Sequence, residues 1–297
     1  MSRIAHIVAA TDFSPRAELA VKRAATLAQQ HEATLHLLHV MPKLQWQMFG
    51  RALVDHPLVT EGRLYESARA RLKNLAEALA GSYAIALQHH VSIGRPHEKI
   101  AEYARSHVVD LTVLGSHGEN FVLDPFIGTT ALKFVRMGTS PALIVDTEAT
   151  GAYGNVLVAV DFSDVSRAAV EAALRIGSQG SIRVLHVYEV EFEEKMRFAG
   201  VEDGVIQRYR DAAAREARRM MDAFLAGKDL RDRVSPIIKR GAPALTILDQ
   251  AQALHADLIV MGKRGRTELN EVLLGSVTKH VLQETDRDLL LVGHFAP

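Results

Sequence analysis

The sequence predicts an α/β protein of two tandem doubly wound domains, and three observations predict it. The chain is written twice. "HIVAATDFSPRAELAV" near the start matches "NVLVAVDFSDVSRAAV" from Asn155, "LHLLHV" matches "IRVLHV", and "VVDLTVLGSHG" matches "HADLIVMGKRG", in one order and at a nearly constant offset. Each half alternates strand-like apolar runs with amphipathic helical stretches. The strand runs are apolar on both faces, as a parallel sheet covered by helices requires, and right-handed crossovers then wind each half into its own domain. The domains are expected at 1–148 and 153–297, joined through the polar, glycine-containing stretch "TEATGAYG" at 147–154.

The elements follow in order. Ile4–Ala10 reads as a strand, and Ser14 as the N-cap of a helix with Pro15 at its first position and Val21, Ala24, Ala25 and Ala28 along one face. Further strands are expected at Thr34–Val40, Ile85–Ile93, Leu111–Leu114 and Ala142–Val145, with helices at Glu61–Ala80, Pro96–Ser106 and after Gly128. The second half repeats the series from Val156. Its helix around Val205–Leu225 carries Val205, Tyr209, Ala213, Met220 and Phe224 at helical spacing. Ligands of doubly wound sheets sit beyond the carboxyl ends of the strands, so residues directly after strands are the candidate site.

Composition narrows the function. The 297 residues hold 35 Lys+Arg and 35 Asp+Glu, and this zero net charge argues against a general nucleic-acid or anionic-membrane surface. With no cysteine, disulfides, thiol nucleophiles and Cys-based zinc or iron–sulfur sites are excluded. No run approaches the roughly 18 apolar residues of a membrane helix, and "MSRIAHIVAATDFS" lacks the pattern of a signal peptide. A cytoplasmic protein is expected.

The stretch "GKRGRTELNEVLLGS" sets Gly262, Gly265 and Gly275-Ser276 between a strand and a helix. Such a turn lets backbone amides converge on one spot with no Cβ to hold a ligand away, and the helix N-terminus favours an anion. Lys263, Arg264 and Arg266 add positive charge. The first half carries the same spacing in "GSHGENFVLDPFIGT", at Gly115, Gly118, Gly128 and Thr129. The plainer reading is that these are turn and cap glycines inherited with the fold. Neither a P-loop nor a G-x-G-x-x-G fingerprint occurs.

With "TDFS" or "VDFS" after the first strand, "LLHV" or "VLHV" at the second, and G-x2-G-x9-G-[ST] after the fourth, the chain resembles a tandem member of the universal stress protein family across its whole length. The resemblance implies a five-stranded parallel sheet in the order 3-2-1-4-5 in each domain, helices on both faces, and binding of an adenine nucleotide, ATP, with or without Mg2+. It places Asp12 and Asp161 near adenine or ribose, and the backbone at Val40 and Val187 near the base. Gly115, Gly118, Gly128 and Thr129 would hold phosphates and ribose in the first half, and Gly262, Gly265, Gly275 and Ser276 in the second, where the charges of Lys263 and Arg264 make them nucleotide-binding candidates as well. It also implies pairing of domains through the fifth strand, within one chain or in a homodimer. An alternative role for Asp12 and Asp161 is capping of the following helix.

The halves differ in charge. Ser116, His117, Glu119, Asp124 and Pro125 in the first loop replace the basic residues of the second, which makes the second domain the expected stronger site. Ten of the fourteen histidines lie in the first half. A zinc site is nonetheless not expected, because His36 and His39, like His89 and His90, are odd numbers apart in strands and point to opposite faces. No general base, arginine finger or Mg2+ cluster is evident, so at most slow ATP hydrolysis is expected, with Asp12 or His117 the groups able to orient a water. The acidic run "YEVEFEEKMRF" at 188–198 reads as a solvated face or a dock for a basic partner. The apolar loop with Trp46, Met48 and Phe49 reads as a lid, a contact surface or packing over the domain's own edge. The functional expectation is an ATP-binding stress-response sensor or regulator. Its rivals are a slow ATPase or phosphotransferase and a scaffold that has lost its nucleotide.

Overall fold

A helix needs a start signal, and Ser14 supplies one. Its hydroxyl accepts the Ala17 N–H at 3.2 Å, Pro15 opens the first turn, and the helix α1 (Pro15–His31) runs until Glu32 turns left-handed at φ 49°. In the computed structural model, which describes residues 3–43, 61–116, 128–137, 140–177, 180–190, 192–226, 230, 232–265 and 274–293, the chain divides into two compact units between Ala152 and Tyr153. The first comprises β1 (His6–Ala10), α1, β2 (Thr34–Met41), α2 (Glu61–Ser82), β3 (Ala86–Ile93), α3 (Pro96–Ser106), β4 (Leu111–Gly115), α4 (Thr129–Met137) and β5 (Ala142–Val145). The second comprises β6 (Asn155–Ala159), α5 (Asp164–Ile176), β7 (Ser181–Tyr188), α6 (Glu193–Phe198), α7 (Asp203–Phe224), β8 (Val234–Arg240), α8 (Pro243–Ala253), β9 (Leu258–Gly262), α9 (Ser276–Glu284) and β10 (Asp288–Val292).

The strands pair in parallel in the order β3-β2-β1-β4-β5 in the first unit and β8-β7-β6-β9-β10 in the second, which is 3-2-1-4-5 twice. Register places Ile7 between Leu35 and Leu111, and Leu157 between Arg183 and Ile259. The central strands are the core: Ile7, Val8, Leu35, Leu37, Leu111 and Val113 are essentially unexposed. The buried face of α1 is mostly alanine (Ala20, Ala24, Ala25, Ala28, with Val21 and Leu27), so its backbone lies close to the sheet.

One device recurs in both units. Asp110, just before β4, accepts the N–H groups of Ala5 and His6 at 2.7 and 2.9 Å; Asp257, before β9, accepts those of Gly154 and Asn155 at 2.8 Å each. Each carboxylate satisfies the amides at the start of its unit's central strand, which have no ladder partner there. The joining stretch is less loose than its composition suggests. Arg23 donates to the Gly151 carbonyl at 2.8 Å, and Tyr153, 1% exposed, donates to the buried Asp288 at 2.6 Å.

One pattern needs correction. The α7 residues turned inward are Ile206, Ala217, Met221 and Phe224, whereas Tyr209 is 57% exposed. Both this series and the one running through Val205, Tyr209 and Met220 have helical spacing. A one-residue shift rotates the stripe by about 100°, and packing on the sheet decides between them.

Candidate functional site

The turn after the first strand of each unit is built on an unusual backbone. Phe13 and Phe162 lie in the left-handed region at φ 64° and 66°, a conformation that costs a non-glycine residue about 1–2 kcal/mol. It turns the chain so that the preceding carboxylate folds back. Asp12 accepts the Ser14 N–H at 3.0 Å, while one oxygen of Asp161, Oδ1, accepts from Ser163 N at 3.1 Å, Ser163 Oγ at 2.6 Å and Ser166 Oγ at 2.6 Å. The helix caps are Ser14 and Ser163, not the aspartates. Each Phe ring packs on the histidine of the second strand: Phe13 on His39 at 4.6 Å, Phe162 on His186 at 4.1 Å. Those histidines donate from Nδ1 to the carbonyls of Thr11 (2.7 Å) and Val160 (2.9 Å), since a carbonyl only accepts. Burial holds His186 below the usual histidine range, so the ring is neutral near pH 7. The D-F-S and L-H-V stretches are thus one interlocked unit.

The glycine loops begin where β4 and β9 end. A Cβ at Gly262 would lie 2.9 Å from Val165 Cγ1, and one at Gly115 would lie 3.0 Å from the Arg16 backbone, so these two glycines let the strand end touch the helix following the first strand. The loop closes on itself twelve residues later. Gly275 donates to the Lys263 carbonyl at 3.0 Å, and Gly128 to that of Ser116 at 2.8 Å. Gly275 is the N-cap of α9, whose first N–H groups have no intrahelical acceptor. Thr278 Oγ1 fixes this turn by donating to the Gly262 carbonyl at 2.9 Å.

In the second unit these parts enclose a cavity of about 320 Å³, within the range of small-molecule sites. Its apolar wall includes Ala159, Leu185, Ile247 and Met261, and its polar rim is Asp161, Arg264, Gly265, Gly275 and Ser276, with Val187 and Gly262 also lining it. Arg264 Nε is buried with no hydrogen-bond partner among the described residues. Lys263 does not line the cavity. It is 6% exposed, and its N–H donates to Val292 at 2.7 Å. Sequence reasoning missed His186, Ser166, Pro243, Ile247 and Thr278, which also line it. Only His186 left a signal, the L-H-V written identically in both halves.

In the first unit, Asp12, Val40, Gly115, Gly128 and Thr129 stand at the same strand ends and helix start. Ser116 takes the place of Lys263, and its hydroxyl donates to Asp146 Oδ1 at 2.5 Å, an oxygen also held by Arg16 at 2.8 Å. The strand registers match Asp146 to Gly293; Val165 stands where the first unit has Arg16. Gly118, with His117, Glu119, Asp124 and Pro125, lies outside the described residues, as do Trp46, Met48, Phe49, Glu191 and Arg266.

The first-unit histidines gather elsewhere. His36, 2% exposed, meets Tyr103 Oη at 3.0 Å and His6 Nδ1 at 3.2 Å; His107 stacks on Tyr103 at 3.9 Å and His90 approaches it at 5.6 Å. Burial, then the nearby His6 and His107, push His36 down to about 4. Among the described residues no three of His, Asp or Glu are arranged to hold a metal ion. The acidic run is internally engaged at Glu193, which pairs with Arg197, Arg210 and Arg240.

Fold and site together define a tandem pair of doubly wound α/β domains, each with a glycine loop after its fourth strand. The chain belongs to the Universal stress protein family, whose profile matches residues 4–146 and again 152–293. A universal stress protein of Mycolicibacterium smegmatis is 22% identical over 299 residues, covering 96% of both chains. Universal stress protein MJ0577 of Methanocaldococcus jannaschii is 30% identical over 156 residues, 47% of this chain and 94% of its own. The same fold is seen in crystal structures of a universal stress protein from Archaeoglobus fulgidus (TM-score 0.68, 17% identity, 97% of this chain and 98% of that one) and a putative one from Pseudomonas aeruginosa (TM-score 0.66, 20% identity, 98% and 93%). Among the described residues no helix is long and apolar enough to cross a membrane.

Proposed function

We propose that the chain is an adenine-nucleotide-binding stress-response regulator whose principal site is the cavity of the second domain, with ATP as its ligand. The observation that carries this is the cavity's mixed lining, in which Ala159, Leu185, Ile247 and Met261 offer apolar surface for a base and Arg264, Gly275 and Ser276 offer groups that suit a phosphate. An arginine side chain lining the cavity suits a phosphate, with which a guanidinium forms charge-assisted hydrogen bonds. The N-terminus of α9, opened by Gly275 and Ser276, favours the same charge. Asp161 sits on the rim as an acceptor for ribose hydroxyls, and the Val187 backbone lines the wall for the base. Mg2+, where the nucleotide carries it, would come with the phosphates. The test is extraction of purified, denatured protein followed by identification of released nucleotide, together with calorimetric titration of the stripped chain with ATP. An adenine nucleotide at one or two per chain is expected. A stripped chain that binds no adenine nucleotide would sink the reading.

A further inference from the structure

We propose that Thr278 is a positioning residue of the second-domain site: its hydroxyl ties the end of β9 to the first turn of α9, holding that turn's amides in place for a ligand's phosphates. This rests on the nucleotide reading above and adds to it what sets the shape of the phosphate end. Thr278 is 3% exposed, is the third residue of α9 and lines the cavity. Its Oγ1 donates to the Gly262 carbonyl at 2.9 Å, across 16 residues of chain. The next carbonyl, that of Lys263, accepts the Gly275 N–H at 3.0 Å, and Lys263 is itself held to the sheet through its N–H to Val292 at 2.7 Å. One hydrogen bond between two chain segments leaves them free to pivot. Two, on successive carbonyls, fix the angle at which the helix leaves the strand.

That angle matters because α9 begins without a side-chain cap, Gly275 being its N-cap. Its first N–H groups are then open to a ligand's oxygens, and they point where the helix axis points. A turn already held in its binding conformation loses less freedom when the ligand arrives, and the difference appears as affinity. The gain falls to the phosphates rather than the base, whose apolar lining comes from β6, β7, α8 and the body of β9. The first domain keeps only one of the two ties. Gly128 donates to the Ser116 carbonyl at 2.8 Å, but the position of Thr278 is taken by Ala131, also 3% exposed, which has no hydroxyl to give. There Ser116 Oγ and Arg16 are bound to Asp146 instead.

The experiment measures binding of ATP and of adenosine to the full chain, by competition against a fluorescent adenine nucleotide. The second-domain step is identified as the one that Gly275→Val removes. Thr278→Val, which keeps the shape of the side chain and removes the hydroxyl, is expected to weaken ATP by about fivefold, one hydrogen bond's worth, and to leave adenosine unchanged. Thr278→Ser, which keeps the hydroxyl, restores ATP binding. Thr278→Ala repeats the loss, and alanine at this position is compatible with the fold, since the first domain carries it. A loss shared equally by ATP and adenosine would make the threonine merely structural and overturns the proposal. Unchanged ATP affinity in Thr278→Val overturns it too, and leaves the nucleotide reading standing. A wild type that binds no adenine nucleotide overturns that reading and this proposal with it.

Discussion

A Cβ at Gly262 would sit 2.9 Å from Val165 Cγ1 and 3.0 Å from the Arg264 carbonyl, whereas one at Gly275 meets nothing nearer than Thr278 Oγ1 at 3.4 Å. Two glycines of one motif therefore answer to different needs. Gly262→Ala should cost about 1–3 kcal/mol in urea unfolding, as overpacking does. Gly275→Ala, with nothing closer than 3.4 Å, should cost no more than about 1 kcal/mol, the handicap of alanine at an N-cap, while Gly275→Val, adding bulk at a cavity-lining position, should lower nucleotide affinity without unfolding the chain. The opposite ranking would return both glycines to a common role. At His36 the consequence is a pH dependence. Its folded value is about 4 against an ordinary 6.5, so between those values the unfolded chain binds a proton that the folded chain refuses. The contribution is complete above pH 6.5 and is lost as pH falls toward 4, about 3 kcal/mol in all. Denaturant titrations from pH 7 to 4.5 should show first-domain stability falling, with a shallower slope in His36→Gln. An unchanged slope would remove His36 as the cause.

At the scale of elements, strands and helices were legible because periodicity and caps are local. The N-cap role of Ser14, the Pro15 start and the five strands of the first domain emerge close to their expected bounds. The side of α7 that packs was not legible, since two stripes one residue apart share the same spacing. Nor was the lock between turn and strand, because Phe162 and His186 are 24 residues apart and meet only once β6 and β7 pair. The aspartate latches are another non-local element. Asp257→Ala leaves the Gly154 and Asn155 amides at the start of β6 without their carboxylate, and should cost the second domain about 1–3 kcal/mol. Asp257→Asn, which keeps an acceptor, should cost less. Urea unfolding of the two variants checks this, and equal losses would show that the carboxylate charge itself is what matters.

Across the whole molecule, duplication has kept the geometry and let the electrostatics diverge. In the first domain, Arg16 and Ser116 are bound to Asp146; in the second, Arg264 stands on the cavity rim with an unpartnered buried nitrogen. The second domain is therefore expected to bind nucleotide more tightly. Calorimetry should show Gly275→Val removing the stronger step and Gly128→Val the weaker one, and equal affinity losses would reject the asymmetry. The sequence by itself determined the duplication, the α/β class, the 3-2-1-4-5 sheets through family resemblance, and the residues at the strand ends, because these are written in local pattern and in a repeat. Only the tertiary structure decided which of those residues share a cavity. It placed Arg264 on the cavity and buried Lys263 beside it, put Gly262 against Val165 as well as on the cavity, and brought in Ser166, His186 and Ile247. The reason is physical: spacing specifies which face or turn a residue occupies, but a cavity is defined by side chains from several elements, and their meeting is set by packing.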